Sequence, residues 1–340
     1  METTKTIINY THRQAGHCES GATSNLFKFY GLDISEPMAF GIGNGLYFSY
    51  IPFLKIMFAP MISFRNLPNT VFKRATQYLG IEATVIKKIK DPKEAMAMLD
   101  RNLEQGIPTG MQVGVFQLTF FPPEYRQHYN MHNLVAFGKE GNLYHISDTV
   151  MEFPQVLTYD DLLRVRYAGG AFAPQGKMYW INNLKPGIDI KPAIIKGIKK
   201  TVYEMIGIPF PLIGVKGLKW MARDLKKWPK KHGNEKASFY LGQILRMAED
   251  FGTGGAGFRY IYGAFLKEAG ELFGNHTELL EAADIMGKTA NKWREFTYIG
   301  ARNCKNRSKP EEDYGMLSDM LMGIAQNEEI VYRKLEKIKF

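Results

Sequence analysis

A change of hydrophobic pattern near residue 182 most constrains the fold. Before it, short apolar runs separated by Gly and Pro turns indicate strands that alternate with short helices. After a linker-like stretch at 182–192 (NNLKPGIDIKP), apolar residues recur at helical spacing to the end of the chain. At 340 residues the chain exceeds one comfortable core. We therefore predict an α+β fold class, with a mixed domain at 1–182 and an all-α domain at 193–340.

The periodicity also predicts individual elements. In the second domain we expect helices at about 192–207, 210–228, 235–251, 257–273, 277–303 and 311–337. In the first domain we expect helices at 69–79, 92–103 and 158–166, strands at 81–89, 109–116 and 177–181, and a hairpin at 132–148.

Composition and apolar patterning bound the cellular setting. Two cysteines are too few for a disulfide framework, which favours a reducing compartment. The first residues, METTKTIINYTHRQ, lack the apolar core of a signal peptide. The most apolar segment, 37–64, is interrupted by Gly, Pro and Lys, so we expect buried strands and a pocket wall there rather than a membrane span. These features predict a cytoplasmic protein.

The net charge of +10 is concentrated in one segment. Residues 185–236 contain thirteen Lys and Arg against four Asp and Glu, which accounts for nearly the whole excess. Such a basic segment predicts an acidic partner: a protein, an anionic membrane or a nucleic acid. A solvated helical face is an equally simple explanation.

Cys18 is the first candidate for chemistry. It precedes a run at helical spacing (Ala22, Leu26, Phe29) that Gly31 ends, so it should lie on the first turn of a helix. The positive end of a helix dipole lowers the pKa of a thiol there and favours the nucleophilic thiolate. Taken alone, a small buried Cys that only packs is the commoner case.

The predicted hairpin at 132–148 contains two further candidate residues, a His and an Asp. If residues 138 and 142 close a three-residue turn, His132 lies directly opposite Asp148. A two-residue turn shifts this pairing by one place. Cross-strand neighbours are close enough for a carboxylate to orient an imidazole. Cys18, His132 and Asp148 are thus a candidate catalytic triad.

The glycine-rich GIGNG at 41–45 is a second candidate feature. It lacks the spacing of a dinucleotide fingerprint and follows no parallel strand, which excludes that function. We expect Gly43, Asn44 and Gly45 to approach the substrate with their backbone. A tight structural turn is equally compatible with these residues.

A resemblance to a known family links these features. The order Cys, strand His, strand Asp is that of papain-like cysteine enzymes, including the bacteriocin-processing peptidases. More closely, HCES, GIGNGLYFSY, MHNLVAFG and the strand ending in Asp resemble the butirosin biosynthesis protein H family. EDFGTGGAGFRYIYGAFLKEA, at 249–269, resembles the helical domain that usually follows in that family. The resemblance spans essentially the whole chain.

The resemblance implies a papain-like catalytic domain and an acyltransferase of secondary metabolism. Butirosin protein H moves an aminoacyl group from an acyl carrier protein thioester to an amine. Carried over by position, Cys18 is the nucleophile, His132 the base and Asp148 the orienting acid. The implied partners are an acyl carrier protein and a small amine or alcohol acceptor. Phosphopantetheine is carried by the donor protein, so we expect no cofactor, no metal site and no nucleic-acid partner of the chain's own.

One departure from the papain pattern concerns the oxyanion hole. Papain-like peptidases place a Gln five or six residues before the Cys, whereas Gln14 is four before it. The backbone N–H of Cys18 and an amide of the Gly-rich loop are alternative donors. A cysteine peptidase, amidase or thioesterase would use the same triad, and a non-catalytic module would use the basic helices alone. Homo-oligomerisation stays open.

The last expectation concerns Arg259. Four glycines within 252–257 are too many for a helix interior and predict a turn, after which a helix restarts near Phe258. A cation on the first turn of that helix is unfavourable unless an anion meets it. We expect Arg259 to face the Cys18 cleft and bind an anionic group of the substrate. The alternative is an ion pair with Glu249 or Asp250 inside the domain.

Overall fold

The computed structural model of the chain describes residues 5–56, 58–250 and 252–340. Three parts of the predictions fall outside these ranges. They are residues 1–4 of the N-terminal stretch, residue 57 within the apolar segment 37–64, and residue 251 at the end of the expected helix 235–251. The chain divides into two compact units: Met1–Ala39 with Val71–Asp189, and Phe40–Thr70 with Ile190–Phe340.

The first unit combines an antiparallel sheet with helices. Its strands are β1 (Lys5–Ile7), β4 (Glu82–Ile86), β5 (Thr109–Val113), β6 (His132–Glu140), β7 (Leu143–Ser147), β8 (Gln155–Thr158) and β9 (Met178–Asn183). Its helices are α1 (Cys18–Phe29), α3 (Thr70–Leu79), α4 (Pro92–Glu104) and α5 (Tyr159–Arg166), while α2 (Glu36–Ile42) begins in this unit and ends in the second.

Three neighbouring strands of the sheet have their termini at the same end of the sheet. In the described part of the chain the strand order is β4-β9-β5-β6-β7-β8, and β1 pairs with the far end of β6. Because β5 and β7 both run antiparallel to β6, the ends of β5 and β7 lie beside the beginning of β6. His132 begins β6 and Asp148 follows β7, so the topology places both at this end of the sheet.

The second unit is helical apart from one hairpin. The hairpin consists of β2 (Leu46–Ile56) and β3 (Ala59–Arg65). The helices are α6 (Lys191–Val202), α7 (Gly214–Leu225), α8 (Trp228–His232), α9 (Asn234–Glu249), α10 (Arg259–Leu272), α11 (Thr277–Cys304) and α12 (Tyr314–Glu336). A π-type turn at Tyr203–Gly207 continues α6. The strand-rich and helix-rich parts confirm the predicted α+β class.

The predicted first domain was contiguous over residues 1–182, but residues 40–70 do not belong to the first unit. This segment belongs to the second unit, where apolar side chains of its hairpin pack against helices. Phe64 lies edge-on to Trp293 at 5.4 Å between ring centroids, and Phe40 stacks on Phe258 at 5.3 Å. Contacts between residues more than two hundred positions apart leave no local pattern in a sequence.

The expected elements are otherwise recovered within a few residues. Four were missed: α2, in a Gly-containing stretch that predicted only turns, the short helix α8, and the short strands β1 and β8. The prediction of buried strands over 37–64 holds for the beginning of β2, but its last four residues are exposed. In the part of the chain that the structure describes, no helix has the length and apolar character needed to span a bilayer.

Candidate active site

Cys18 is the first residue of α1 and is buried, as the sequence predicted. His17 is the N-cap residue, with its backbone extended and its Nδ1 accepting from the Ser20 amide at 3.3 Å. An uncharged ring nitrogen that accepts here satisfies one of the free donors of the first helical turn. The thiol therefore sits at the positive end of the helix dipole, as a nucleophilic Cys requires.

A carboxylate holds the loop that leads into Cys18. Glu36 accepts from the backbone amides of Gly16 at 2.8 Å and His17 at 2.7 Å, and from the Ser20 hydroxyl at 3.1 Å. Burial raises the pKa of Glu36, and these hydrogen bonds offset part of the rise. Three bonds from one side chain fix where the helix begins and thus where the thiol points.

The helix that carries Cys18 is buried along nearly its whole length, although half of its residues are polar. Each polar side chain has a specific partner: Thr23 donates to the Glu19 carbonyl, Ser24 to that of Ile34 and Asn25 to that of Arg13. A fully satisfied buried polar network restricts a helix to one position. We infer that this network, more than an apolar stripe, orients α1.

His132 and Asp148 form the second half of the site. Nε2 of His132 lies 2.6 Å from Oδ2 of Asp148, and both side chains are buried. The carboxylate thereby orients the ring and leaves Nδ1 as the nitrogen available to other groups. This pair was predicted, but through a different strand register.

A β-bulge makes the pair possible. Glu140 pairs with Leu143, which closes a two-residue turn instead of the expected three-residue turn. Continued without interruption, that register would place Asp148 on the face opposite to His132. The register shifts by one residue between Ala136 and Gly138, so that Val135 pairs with Ser147. Asp148 then falls diagonally across from His132 on the same face, within side-chain reach.

The charges of the site favour a protonated imidazole. Burial by itself lowers the pKa of His132, but Asp148 and the Cys18 sulfur, both acting through charge and hydrogen bonding, raise this pKa to about 10. The histidine thus interacts with both predicted partners. A protonated imidazole beside a Cys sulfur is an environment that activates a thiol as a nucleophile.

Close backbone packing joins α1 to the Asp148 strand. The Ala15 amide donates to the Thr149 carbonyl at 2.7 Å. A Cβ on Gly21 would lie 2.5 Å from the Ala15 Cβ and 2.6 Å from the Thr149 hydroxyl. Only glycine lets α1 approach this closely, and that approach brings Cys18 toward the pair of His132 and Asp148.

An aromatic loop between β5 and β6 contacts the catalytic ring. Phe121 packs edge-on against His132 at 5.6 Å between ring centroids. Arg126 holds this loop by donating to the carbonyls of Phe121 and Thr119, both at 2.7 Å. This loop is therefore a fixed wall beside the imidazole.

The structure narrows the set of candidate donors to the oxyanion hole. Gln14 is exposed and lies before the helix in a segment without regular secondary structure. The amides of Asn44 and Gly45 already donate to the carbonyls of Gly41 and Phe40. The amide of Cys18, on the first helical turn where no partner exists within the helix, is the remaining candidate.

Gly43, Asn44 and Gly45 form a buried turn of the second unit. Asn44 has a left-handed backbone (φ 49°), and its side-chain amide donates to the Thr201 hydroxyl at 2.8 Å. Asn66 donates in turn to the Asn44 carbonyl. These bonds favour the structural turn among the two alternatives, and a role of the three residues toward substrate stays a prediction.

Arg259 requires a correction. It begins α10 as expected, but its guanidinium is fully buried and binds both carboxylate oxygens of Glu328 at 2.9 and 3.0 Å. The remaining donation goes to the Gly257 carbonyl. The expectation that Arg259 binds a substrate anion is therefore wrong, because an internal anion from α12 meets the cation. Glu249, the expected partner, instead accepts from the Ala256 amide.

The second cysteine contrasts with the first. Cys304 ends α11, and its sulfur donates to the Ser238 carbonyl at 3.4 Å. Burial raises the pKa of this thiol, which keeps it protonated and unreactive. Within the described residues, no three His, Cys, Asp or Glu side chains converge as a metal site would require.

The structure thus brings together Cys18, His132 and Asp148 and leaves Arg259 in a separate role. It adds Glu36, Thr149 and Phe121, which sequence analysis did not single out. None has a local motif, since each acts through a contact that folding creates. Only Glu36, acidic at the start of a helix, carries a signal of its own.

Comparison with known proteins places these residues in a family. Residues 17–149 match the model of the butirosin biosynthesis protein H N-terminal domain, a range that includes the whole triad. Residues 160–335 match a domain of unknown function, DUF4872. No curated protein matches the chain. A solved structure described as a C39-like peptidase from Bacillus anthracis is similar at 12% identity and a TM-score of 0.38, covering 54% of this chain and 99% of its own.

The two family matches together span most of the chain, in the order that the sequence resemblance predicted. The chain belongs to the DUF4872 family, and its first part matches the N-terminal domain of butirosin biosynthesis protein H.

Proposed function

We propose that the protein is a cysteine acyltransferase that moves an acyl or aminoacyl group from an acyl carrier protein to an amine or hydroxyl acceptor. The observation that carries the proposal is His132, bound to Asp148 at 2.6 Å and interacting with Cys18. Membership of the butirosin biosynthesis protein H-like family supports the reaction class and a role in cytoplasmic secondary metabolism.

In the first half-reaction the Cys18 thiolate attacks the thioester carbonyl. A Cys18–acyl bond forms, the bond to the pantetheine sulfur breaks, and the imidazolium of His132 gives that sulfur its proton. The amide of Cys18, at the start of α1, stabilises the oxyanion of the tetrahedral intermediate.

In the second half-reaction His132 acts as a base. Acylation removes the negative charge of Cys18, which is one of the causes that raise the pKa of His132. The ring, which has given its proton to the leaving sulfur, therefore stays neutral in the acyl-enzyme. It then accepts the proton of the incoming amine, which attacks the acyl group and releases the thiolate.

The choice of an acyl carrier protein as the acyl donor rests on the charge of the chain. The basic segment at 185–236 offers an attractive surface to an acidic carrier protein, and it supplies speed and orientation of encounter more than chemistry. Phosphopantetheine arrives on the donor, so the proposed reaction uses no cofactor or metal of the chain's own.

Transfer in the presence and absence of acceptor tests the proposal. The protein is incubated with an acyl carrier thioester, with or without an amine, and both amide and free acid are quantified by mass spectrometry. We expect amide formation that requires both the amine and Cys18, with little free acid. Cys18→Ala, whose fold is checked by circular dichroism, is the control.

The alternatives give different products. Free acid formed at the same rate with and without amine would indicate a thioesterase. Cleavage of peptides without any carrier protein would indicate a peptidase or amidase. Absence of turnover on every thioester and peptide would leave a binding module that uses only the basic helices.

A further inference from the structure

The β2–β3 hairpin ends in apolar side chains that nothing covers within the described chain. Phe53 is 77% exposed and Phe58 is 87% exposed, and Leu54 and Ile56 are also exposed. We call these four residues with Lys55 the hairpin tip. Contiguous exposed apolar groups of this size mark surfaces that bind a protein or a membrane.

The surroundings of the hairpin tip are cationic. The whole hairpin, residues 46–65, contains one Lys and one Arg and no acidic residue. The ammonium group of Lys55 lies 4.7 Å from the ring centroid of Tyr240, and that of Lys236 lies 5.9 Å from the same ring. The tip and the beginning of α9 therefore share one basic surface.

Of the acidic residues near this surface, the exposed Glu235 adjoins Lys236 on the first turn of α9, and Asp224 is already engaged. Asp224 pairs with Lys231 at 3.6 Å and accepts from the Trp228 indole at 3.1 Å. His232, edge-on to Tyr240 at 5.3 Å, is close enough to Lys231, Lys55 and Lys236 that burial together with these cations lowers its pKa. A lowered pKa keeps this histidine neutral, and the net field around the tip remains positive because of the lysines.

We propose that the hairpin tip inserts into the interfacial region of an anionic lipid bilayer, with Phe53 and Phe58 in the acyl boundary and Lys55, Lys231 and Lys236 on the headgroups. Interfacial binding of this kind adds the burial of apolar area to the attraction of cations for acidic lipids. The proposal does not depend on the acyl-transfer reaction.

Exposure favours a bilayer over an acidic protein as the occupant. Phe53 and Phe58 are each more than three-quarters exposed, so a protein partner would need a deep pocket with an acidic rim to cover them. A fluid interface accepts exposed apolar side chains in any arrangement. Lysines beside these side chains, rather than a groove with backbone donors, match dispersed phosphate headgroups.

Vesicle co-sedimentation tests the proposal directly. The full chain is mixed with vesicles of phosphatidylcholine alone, or of phosphatidylcholine and phosphatidylglycerol in equal parts, at low and high salt. We expect binding to the anionic vesicles only, weakened by salt. Phe53→Ser with Phe58→Ser should reduce the affinity at least about tenfold, because two large apolar groups no longer enter the interface. Lys55→Glu should weaken binding at low salt more than at high salt.

The matched control replaces two other aromatic residues that are each more than three-fifths exposed. Phe153 is 65% exposed and Tyr298 is 64% exposed, so Phe153→Ser with Tyr298→Ser removes similar apolar surface away from the tip. This variant should bind like the wild type, and equal melting temperatures exclude a folding defect in either variant. Absence of binding to anionic vesicles, or equal binding by the tip and control variants, would overturn the proposal. Capture of an acidic carrier protein through the tip without vesicle binding would overturn it as well.

Discussion

His132 lies between two groups that carry negative charge, and this position sets its chemistry. Asp148 holds one ring nitrogen, and Cys18 contributes to the raised pKa. The imidazolium persists to a pH of about 10 in the free enzyme and is lost above it. In the proposed reaction, the acid that would protonate the leaving pantetheine sulfur is therefore present throughout the neutral range.

Replacing the orienting acid should move the alkaline limit of acylation. Asp148→Asn removes a negative charge that stabilises the imidazolium, so the pKa of His132 falls and the alkaline limb of the rate profile moves to lower pH. The measurement is the single-turnover acylation rate with an acyl-pantetheine from neutral pH upward. His132→Ala should lose about 10²–10⁴-fold in rate, and Asp148→Asn less, because an orienter is more dispensable than the acid–base group itself.

An unchanged alkaline limb in Asp148→Asn would contradict this assignment. It would mean that the ionisation in that pH range belongs to another group. A limb that moves to higher pH would contradict the sign of the interaction. Asp100→Asn, which alters a carboxylate bound to Lys139 and Tyr144 elsewhere in the unit, is the matched control and should leave the limb in place.

The three residues of the candidate triad could be singled out from the sequence, but not the geometry that joins them. Cys18 has a local signal in its place before a helical run, and His132 and Asp148 have one in the hairpin. Their pairing depends on a bulge between Ala136 and Gly138 and on a two-residue turn. Nothing in the strand pattern marks a bulge, because apolar residues occupy both faces of this buried strand.

At the scale of elements, α1 depends on close approach to the Asp148 strand. Gly21→Ala would place a methyl group about where Ala15 and Thr149 now lie. We expect a loss of about 1–3 kcal/mol in the free energy of unfolding, because backbone has to move, and a lower acylation rate. Chemical denaturation and single-turnover acylation measure the two effects.

Gly287→Ala is the matched control for this prediction. Gly287 lies within α11, and a Cβ there meets open space. The same substitution should stabilise the protein by about 0.5–1 kcal/mol, since alanine is the better helix former. If Gly21→Ala were as harmless as Gly287→Ala, close packing of α1 would not be what positions Cys18.

The ion pair of α10 and α12 makes a separate prediction about stability. Glu328 also accepts from the Trp293 indole at 3.0 Å and from the Tyr332 hydroxyl at 3.4 Å, so its charge is buried with three donor side chains. Arg259→Met leaves this carboxylate without its cation and should cost about 3–5 kcal/mol. Adding Glu328→Gln removes the unpaired charge but keeps an acceptor for Trp293. The double variant should therefore be more stable than the single variant.

Denaturation of the single and double variants decides the point. A double variant that loses the sum of two single losses would show that the residues act independently. A normal rate of Cys18 acylation in a folded Arg259→Met variant is expected, because Arg259 binds Glu328 rather than substrate. Loss of carrier-protein affinity with unchanged stability would restore the ligand role.

Elements with long amphipathic patterns were the easiest to predict. The helices of the second unit agree with their expected ranges within a few residues, since each buries one apolar face. α1 shows the opposite case, because its buried faces are polar and its order depends on Glu36 and on backbone carbonyls. Such partners lie outside any local window of sequence.

At the scale of the whole chain, residues 40–70 are the main surprise. They interrupt the first unit in sequence and form part of the second. A boundary drawn from composition at 182–192 finds the beginning of the helical part but not this insertion. The apolar contacts of Phe40 and Phe64 with distant aromatic residues explain the difference.

The basic segment should affect capture of the donor and not the chemistry. Lys226, Lys227 and Lys230 are exposed, whereas Lys231 pairs with Asp224. Reversing the first three to Glu should raise KM for the carrier protein and leave the rate with acyl-pantetheine nearly unchanged. The difference should shrink at high salt, where screening weakens exposed charges.

Steady-state kinetics with both substrates checks this prediction. Charge reversal at the exposed Lys73, Lys88 and Lys93 of the first unit is the control, with the same change in net charge. An equal loss on carrier-bound and small thioesters would show that the segment supports the fold or the catalytic site. An equal effect of the two sets of reversals would show that net charge, and not the segment, attracts the donor.

Mapping the acyl group on the protein tests the central claim most directly. The enzyme is incubated with an acyl carrier thioester without acceptor, quenched in acid, and analysed by intact-mass and peptide mass spectrometry. We predict one acyl adduct on Cys18, its absence in Cys18→Ala, its retention in Cys304→Ala, and its disappearance on addition of amine with formation of amide. An adduct on Cys304, or amide formation by Cys18→Ala at the wild-type rate, would contradict the account.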